Sequence, residues 1–243
     1  MYKEPVNWQD EDGDWNEIDT DFKKVDGGYE TASAAVTMRA EAHAPGESAL
    51  ELQGDDWKVG FRLEGARQVA PTVDGAAVRY AGVLPGVDLI EEVSATEIKE
   101  HIVLAAAPAT PAPLVYRFPL SLTGVTPRSV ESGEIEFIDA AGERVAFIPH
   151  GWMWDSLPDN LPMVDAGRVQ VRLVEEGPNF VLEVVPDDAW IRDAERVYPV
   201  TIDPQIVFAD ANANVDAYVN SLNTAGNWNY DPCLLYTSDA ADE

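Results

Sequence analysis

Three stretches of this 243-residue chain carry side chains that could do chemistry. In His150-Gly151-Trp152-Met153-Trp154-Asp155 two tryptophans stand two residues apart. If the segment is extended, both indoles lie on one face. Exposed, Trp152 and Trp154 would form a platform for stacking sugar rings; buried, they would cap a core, which is the commoner use of such a pair. Trp228 is a further candidate for sugar contact. A second stretch holds Glu91, Glu92, Glu97 and Glu100 on either side of the turn residues Ser94-Ala95-Thr96. Carboxylates roughly 5–10 Å apart serve glycoside hydrolysis. Glutamates on a solvated strand face are much commoner, and Lys99 offsets part of their charge. The third stretch is Asp10-Glu11-Asp12-Gly13-Asp14-Trp15. Alternating carboxylates suit calcium, but a calcium loop of the EF-hand kind needs glycine at its sixth position, where this chain has Trp15. A hairpin turn fits better: Asp12-Gly13 supplies the positive φ, with Trp8 and Trp15 as a cross-strand aromatic pair.

Other chemistry finds little support. His43, His101 and His150 form no metal-binding spacing, and no nucleophile elbow, phosphate loop or dinucleotide fingerprint is present. The one cysteine, Cys233, permits neither a disulfide framework nor a cysteine metal site. The residues point to no catalytic group, no cofactor and no metal.

The elements that would position these groups are strands. Trp57, Val59, Phe61 and Leu63 alternate with polar residues or glycine. Leu114, Tyr116, Phe118 and Leu120 recur at the same spacing of two, as do Val169, Val171 and Leu173, and Phe180, Leu182 and Val184. A period of two marks half-buried antiparallel strands. Turn pairs such as Gly27-Gly28, Asp74-Gly75, Ala141-Gly142 and Glu176-Gly177 punctuate them. Only Asp187 to Ala194 invites a helix. The fold class expected is all-β: one or more antiparallel β-sandwiches across residues 1–204, with a possible sub-division at the Pro/Ala-rich stretch 105–113. After Ile202-Asp203-Pro204 the composition shifts to Asn, Ala and Asp, so residues 205–232 read as the incomplete start of a second domain.

The chain is strongly acidic, with a formal net charge of -28. Such a field repels phosphate backbones and anionic lipid, so the expected partners include no nucleic acid and no membrane. No apolar run approaches the roughly 20 residues of a membrane helix.

Residues 233–243, Cys-Leu-Leu-Tyr-Thr-Ser-Asp-Ala-Ala-Asp-Glu, resemble a translated sequencing-library adaptor of the transposase type. On that reading natural sequence stops near Pro232.

Three further stretches resemble one family. They are Pro5-Val6-Asn7-Trp8-Gln9-Asp10 with Asp12-Gly13-Asp14-Trp15; Leu84-Pro85-Gly86-Val87-Asp88-Leu89 with Lys99-Glu100; and Arg196-Val197-Tyr198-Pro199-Val200-Thr201-Ile202-Asp203-Pro204. They are similar to the β-rich N-terminal region of DNRLRE-domain and Rhs-repeat, wall-associated-type bacterial surface proteins. Val215-Asp216-Ala217-Tyr218-Val219 resembles the first strand of a DNRLRE domain, which in that family is a jelly-roll-like sandwich. The resemblance implies a secreted or cell-surface protein in which this segment is a non-enzymatic structural or presentation module. Its partners would be downstream domains of the same polypeptide. The alternative is a carbohydrate-binding module for cell-wall or environmental polysaccharide, acting through Trp152, Trp154 or Trp228.

Overall fold

Alternation of apolar and polar residues becomes strand after strand in the computed structural model, which describes residues 5–10, 12–42, 50–109, 111–157, 167–208 and 215–216. The fold is all-β, built of large antiparallel sheets in a sandwich arrangement, with one short helix among the described residues, at Asp188–Ile191. No helix among the described residues is long and apolar enough to cross a membrane.

The first sheet is a meander. Strand Asp19–Val25 pairs with Gly28–Ser33, then come Thr37–Glu41, Leu50–Gln53 and Lys58–Phe61, each hydrogen-bonded to the one before. Lys58–Phe61 then pairs with the second half of strand Tyr116–Thr123, from Leu120 to Thr123. The first half of that strand, Tyr116 to Pro119, pairs instead with Asn179–Pro186. The strand thus leaves one sheet for the other at Pro119-Leu120. Proline has no N–H to give to a ladder, so a change of partner there sacrifices no donor.

From Asn179–Pro186 the second sheet continues through Gly167–Glu176, Gly151–Trp154, Val200–Asp203, Glu97–Leu104, Val87–Val93 and Ala77–Leu84 to Thr72–Asp74. The amide of Phe22 donates to the carbonyl of Gly75 at 2.9 Å, which links the first strand of the meander to the end of this run. Strand Glu97–Leu104 is a branch point. Its Ile102 to Leu104 pair with Val200–Asp203, while Glu97 and Ile98 pair with Ile206–Phe208. The second branch runs on through Arg144–Ile148 and Ile135–Asp139 to Val125–Ser129. The main sheet therefore extends past position 204. Val215–Asp216 pairs with Asn7–Gln9, which also pairs with Trp15–Glu17. Trp228 and residues 233–243 lie outside the described residues.

The core fills the space between the sheets with Leu50, Leu52, Val59, Tyr80, Leu89, Ile98, Ile102, Phe137 and their neighbours. Phe61 and Phe137 meet edge to face, with centroids 6.2 Å apart and an interplanar angle of 81°. They tie the meander to the second branch. Burying a large apolar side chain contributes about 1.5–3 kcal/mol, so this shared interior dominates the stability of both sheets.

The hairpin expected at Asp12-Gly13 forms, with Gly13 at φ +84°. Its register differs from expectation: Trp15 lies opposite Gln9, and Trp8 opposite Asn16, so the two indoles are not a facing pair. The cause is the turn. The Asp10 carboxylate accepts from the backbone amide of Asp14 and from the side-chain Nδ2 of Asn16, at 2.9 Å in each case, and widens the loop. A shift of one residue sends a side chain to the other face.

Candidate functional site

The most chemically unusual place in the molecule is the ladder between Val87–Val93 and Glu97–Leu104. A short turn fixes the register: the Ser94 amide donates to the Glu97 carbonyl at 2.9 Å, and the Ser94 hydroxyl accepts from the Thr96 and Glu97 amides. Counting outward from that turn, Glu91 falls directly opposite Glu100. Both point inward. Glu91 shares its face with Leu89 and Val93, and Glu100 shares its face with Ile98 and Ile102. Their exposures are only 1% and 3%, which overturns the expectation that these glutamates sit on a solvated face. Glu92 and Glu97 do occupy the other face, where Lys99 lies opposite Glu92 and its ammonium is 3.4 Å from Glu97.

Burial sets the electrostatics of the pair. A carboxylate removed from water favours its neutral form, and a second carboxylate nearby favours it further. Burial, and then the charge of Glu100, hold Glu91 well above the ordinary carboxylate range. Burial, and then the Asp203 carboxylate, push Glu100 up to about 8. The two titrate as a unit rather than as separate acids. Tyr80, one strand away, feels the same environment. Burial, then the charges of Glu91 and Glu41, push its hydroxyl well above the ordinary phenol range, while that hydroxyl donates to the Glu41 carbonyl at 2.8 Å.

On the far side of Glu97–Leu104, His101 Nε2 lies 3.8 Å from Asp203 Oδ2, and the ring meets Trp154 edge-on with centroids 5.6 Å apart. Glu91 Oε2, His101 Nε2 and Asp203 Oδ1 are buried without a hydrogen-bond partner. Glu91 and Glu100 thus oppose two acids inside the core, while His101 and Asp203 face each other beside them. A buried carboxyl pair of this kind can take up, hold and release protons.

The tryptophan stretch divides by strand alternation. In Gly151–Trp154 the inward positions are Gly151 and Met153. Trp152 is 50% exposed, and Trp154 is half-buried against His101. The core-capping reading therefore fails for Trp152. Gly151 and Gly167 are inward because nothing larger fits: a Cβ at Gly167 would come within 2.3 Å of Met153 and 2.8 Å of Trp190.

Immediately after this strand, Asp155 makes a buried anchor that the sequence alone did not single out. Its carboxylate accepts from the amides of Leu157 and Val197 at 3.3 and 3.2 Å, and Arg196 Nη1 lies 3.5 Å away. The Arg196 guanidinium also stands 4.5 Å from the centre of the Trp190 ring. Trp190 belongs to the short helix. Asp187 caps that helix by accepting from the Ala189 and Trp190 amides, as the helix-start residues predicted. Arg192, at the helix end, donates to the carbonyls of Pro108 and Ala112 and fastens the Pro/Ala-rich stretch.

No family model and no solved structure matches this chain. Three curated proteins do. The tRNA(Glu)-specific nuclease WapA of Bacillus subtilis subsp. natto is 29% identical over 157 residues, which is 64% of this chain. The tRNA nuclease WapA of Bacillus subtilis strain 168 and the tRNA3(Ser)-specific nuclease WapA of Bacillus spizizenii match to the same extent. The matched stretch covers 6% of the length of each relative.

These relatives correct three expectations. The reading as a non-enzymatic structural or presentation module is overturned, together with its polysaccharide-binding alternative, because the similar proteins are nucleases. The expectation of no enzyme rested on the family resemblance, supported by missing linear motifs, and active sites assemble in space, from residues far apart in a chain. The exclusion of nucleic acid rested on the net charge of this chain. That charge describes the field of these 243 residues and not that of the relatives, of whose length the matched stretch is 6%.

Proposed function

We propose that this chain is part of a nuclease that acts on tRNA. The observation that carries the reading is the 29% identity, sustained over 157 residues, to three WapA proteins whose names state that activity. The reaction is hydrolytic or transesterifying cleavage of a phosphodiester bond. Such chemistry draws on acid–base groups and on charge stabilisation at the phosphate. We further propose an extracellular or cell-surface setting for the protein. The likeness of Leu84 to Leu89, and of Arg196 to Pro204, to wall-associated-type surface proteins supports that setting.

The test is to incubate the complete gene product with purified tRNA and map the cleaved ends by sequencing, beside the Bacillus subtilis nuclease as a positive control. Defined new tRNA ends support the reading. Intact tRNA under conditions in which the control cleaves overturns it.

A further inference from the structure

The enclosed glutamate pair does something that neither the sheet nor the nuclease reading requires. Glu91 and Glu100 stand opposite one another across an antiparallel ladder. Directly opposed residues hold their Cβ atoms roughly 4.5–5.5 Å apart. Both side chains are enclosed among Leu89, Val93, Ile98 and Ile102. The nearest cation on these strands, Lys99, is on the other face and engaged with Glu97. Glu91 Oε2 has no hydrogen-bond partner. The remaining titratable neighbours offer little compensation. Tyr80 from strand Ala77–Leu84 is neutral and spends its proton on the Glu41 carbonyl. Asp203 from strand Val200–Asp203 adds another negative charge, which His101 faces at 3.8 Å. Two opposed carboxylates in such a place do not both ionise while the ladder stays closed.

The position of the pair gives this a consequence. Glu100 lies between Ile98, which pairs with Ile206, and Ile102, which pairs with Ile202. It therefore sits where strand Glu97–Leu104 divides its edge between the two branches of the second sheet.

We propose that Glu91 and Glu100 form a proton-operated joint: protonation of the pair holds the two branches together, and its loss at alkaline pH loosens them. The proposal is independent of the nuclease reading. Its sign follows from linkage. A carboxyl group whose folded-state pKa is raised binds its proton more tightly in the folded chain than in the unfolded one. The stabilisation is complete below the ordinary glutamate range and is lost as pH rises through the raised value. For Glu100 that window runs from the ordinary glutamate value of 4.5 to about 8. Exposed carboxylates have finished titrating by about pH 6. Between about pH 6 and 8 the folded chain holds at least one proton that the unfolded chain has released, so the unfolding constant rises by at least about tenfold per pH unit.

The experiment is urea unfolding of the full 243-residue chain at pH 6, 7 and 8, with amide exchange read at Ile98, Ile102 and Ile206. The expected result is a steep fall in stability and faster exchange at those three amides. In Glu91→Gln/Glu100→Gln the slope is lost. A double variant that keeps the wild-type slope overturns the proposal, because the slope then comes from other groups. If the double variant does not fold, side-chain carbon NMR of 13C-glutamate-labelled wild-type chain decides. A glutamate carboxyl titrating above pH 7 supports the joint, and titration of every glutamate below about pH 5.5 overturns it.

Discussion

Removing the Asp155 carboxylate should do more damage than removing the whole ion pair it belongs to. The Asp155 side chain is completely enclosed and that of Arg196 is 9% exposed, so neither charge can recover its hydration by a small movement. In Asp155→Ala the guanidinium stays buried without the Asp155 carboxylate, and the Leu157 and Val197 amides lose their acceptor. Breaking a buried pair from one side costs about 3–5 kcal/mol. Each lost hydrogen bond accounts for about 1 kcal/mol of this, and the lost ion pair for the rest. Asp155→Asn keeps an acceptor oxygen for one of the amides and should lose about half as much. In Asp155→Ala/Arg196→Met the cation is gone as well, and the thioether can still lie on Trp190. The double variant should then be at least about 1 kcal/mol more stable than Asp155→Ala alone. The assay is urea unfolding followed by tryptophan fluorescence, with an unchanged m-value confirming that the same surface unfolds. Against a total stability of about 5–15 kcal/mol, a loss of this size is easily resolved. A cost below about 1 kcal/mol for Asp155→Ala, or a double variant equal to the sum of the singles, would refute the claim that Arg196 is trapped as a charge.

Two other perturbations test the frame around the site. Phe137→Ala and Phe61→Ala should each cost about 3–5 kcal/mol, and a double-mutant cycle between them should show about 0.5–1.5 kcal/mol of coupling; strict additivity would mean that the two sheets do not meet at these rings. Gly124→Ala should cost about 2 kcal/mol or more by thermal or urea unfolding, since Gly124 is at φ +70° and a Cβ there would lie 2.2 Å from the Asp56 carbonyl oxygen; a neutral result would show that the Asp56 loop moves aside freely.

What the sequence revealed was local. The period of two around Val59 and Phe61, and around Val169 and Val171, marks strands whose side chains do alternate between core and solvent. The turn at Ser94 to Thr96 and the helix cap at Asp187 depend on hydrogen bonds within four residues, so their residue types suffice to announce them. What it concealed was distant. That Tyr116–Thr123 serves two sheets depends on Leu120 finding Phe61 and Phe118 finding Leu182, at separations no local pattern encodes. The Asp155 anchor joins residues about forty apart for the same reason. The Trp8 and Trp15 pairing failed for a smaller cause, an Asp10-centred turn one residue longer than a tight hairpin.

The buried glutamates belong to neither class, because their signal was present and was weighed wrongly. Read at every second position, Leu89-Glu91-Val93 and Ile98-Glu100-Ile102 each place an acid between two core residues. Composition pulled the other way. In a chain with 44 acidic residues, one more glutamate on a strand looks like one more solvated charge. Alternation is the stronger argument, since a strand cannot turn one residue outward without turning its neighbours on the same face with it. The formal charge of -28 counts every carboxylate as ionised, which a pair sharing a proton is not. The same arithmetic misjudged nucleic acid. A charge summed along a chain says nothing of where the charges lie, or of what far longer relatives bring to a substrate of their own.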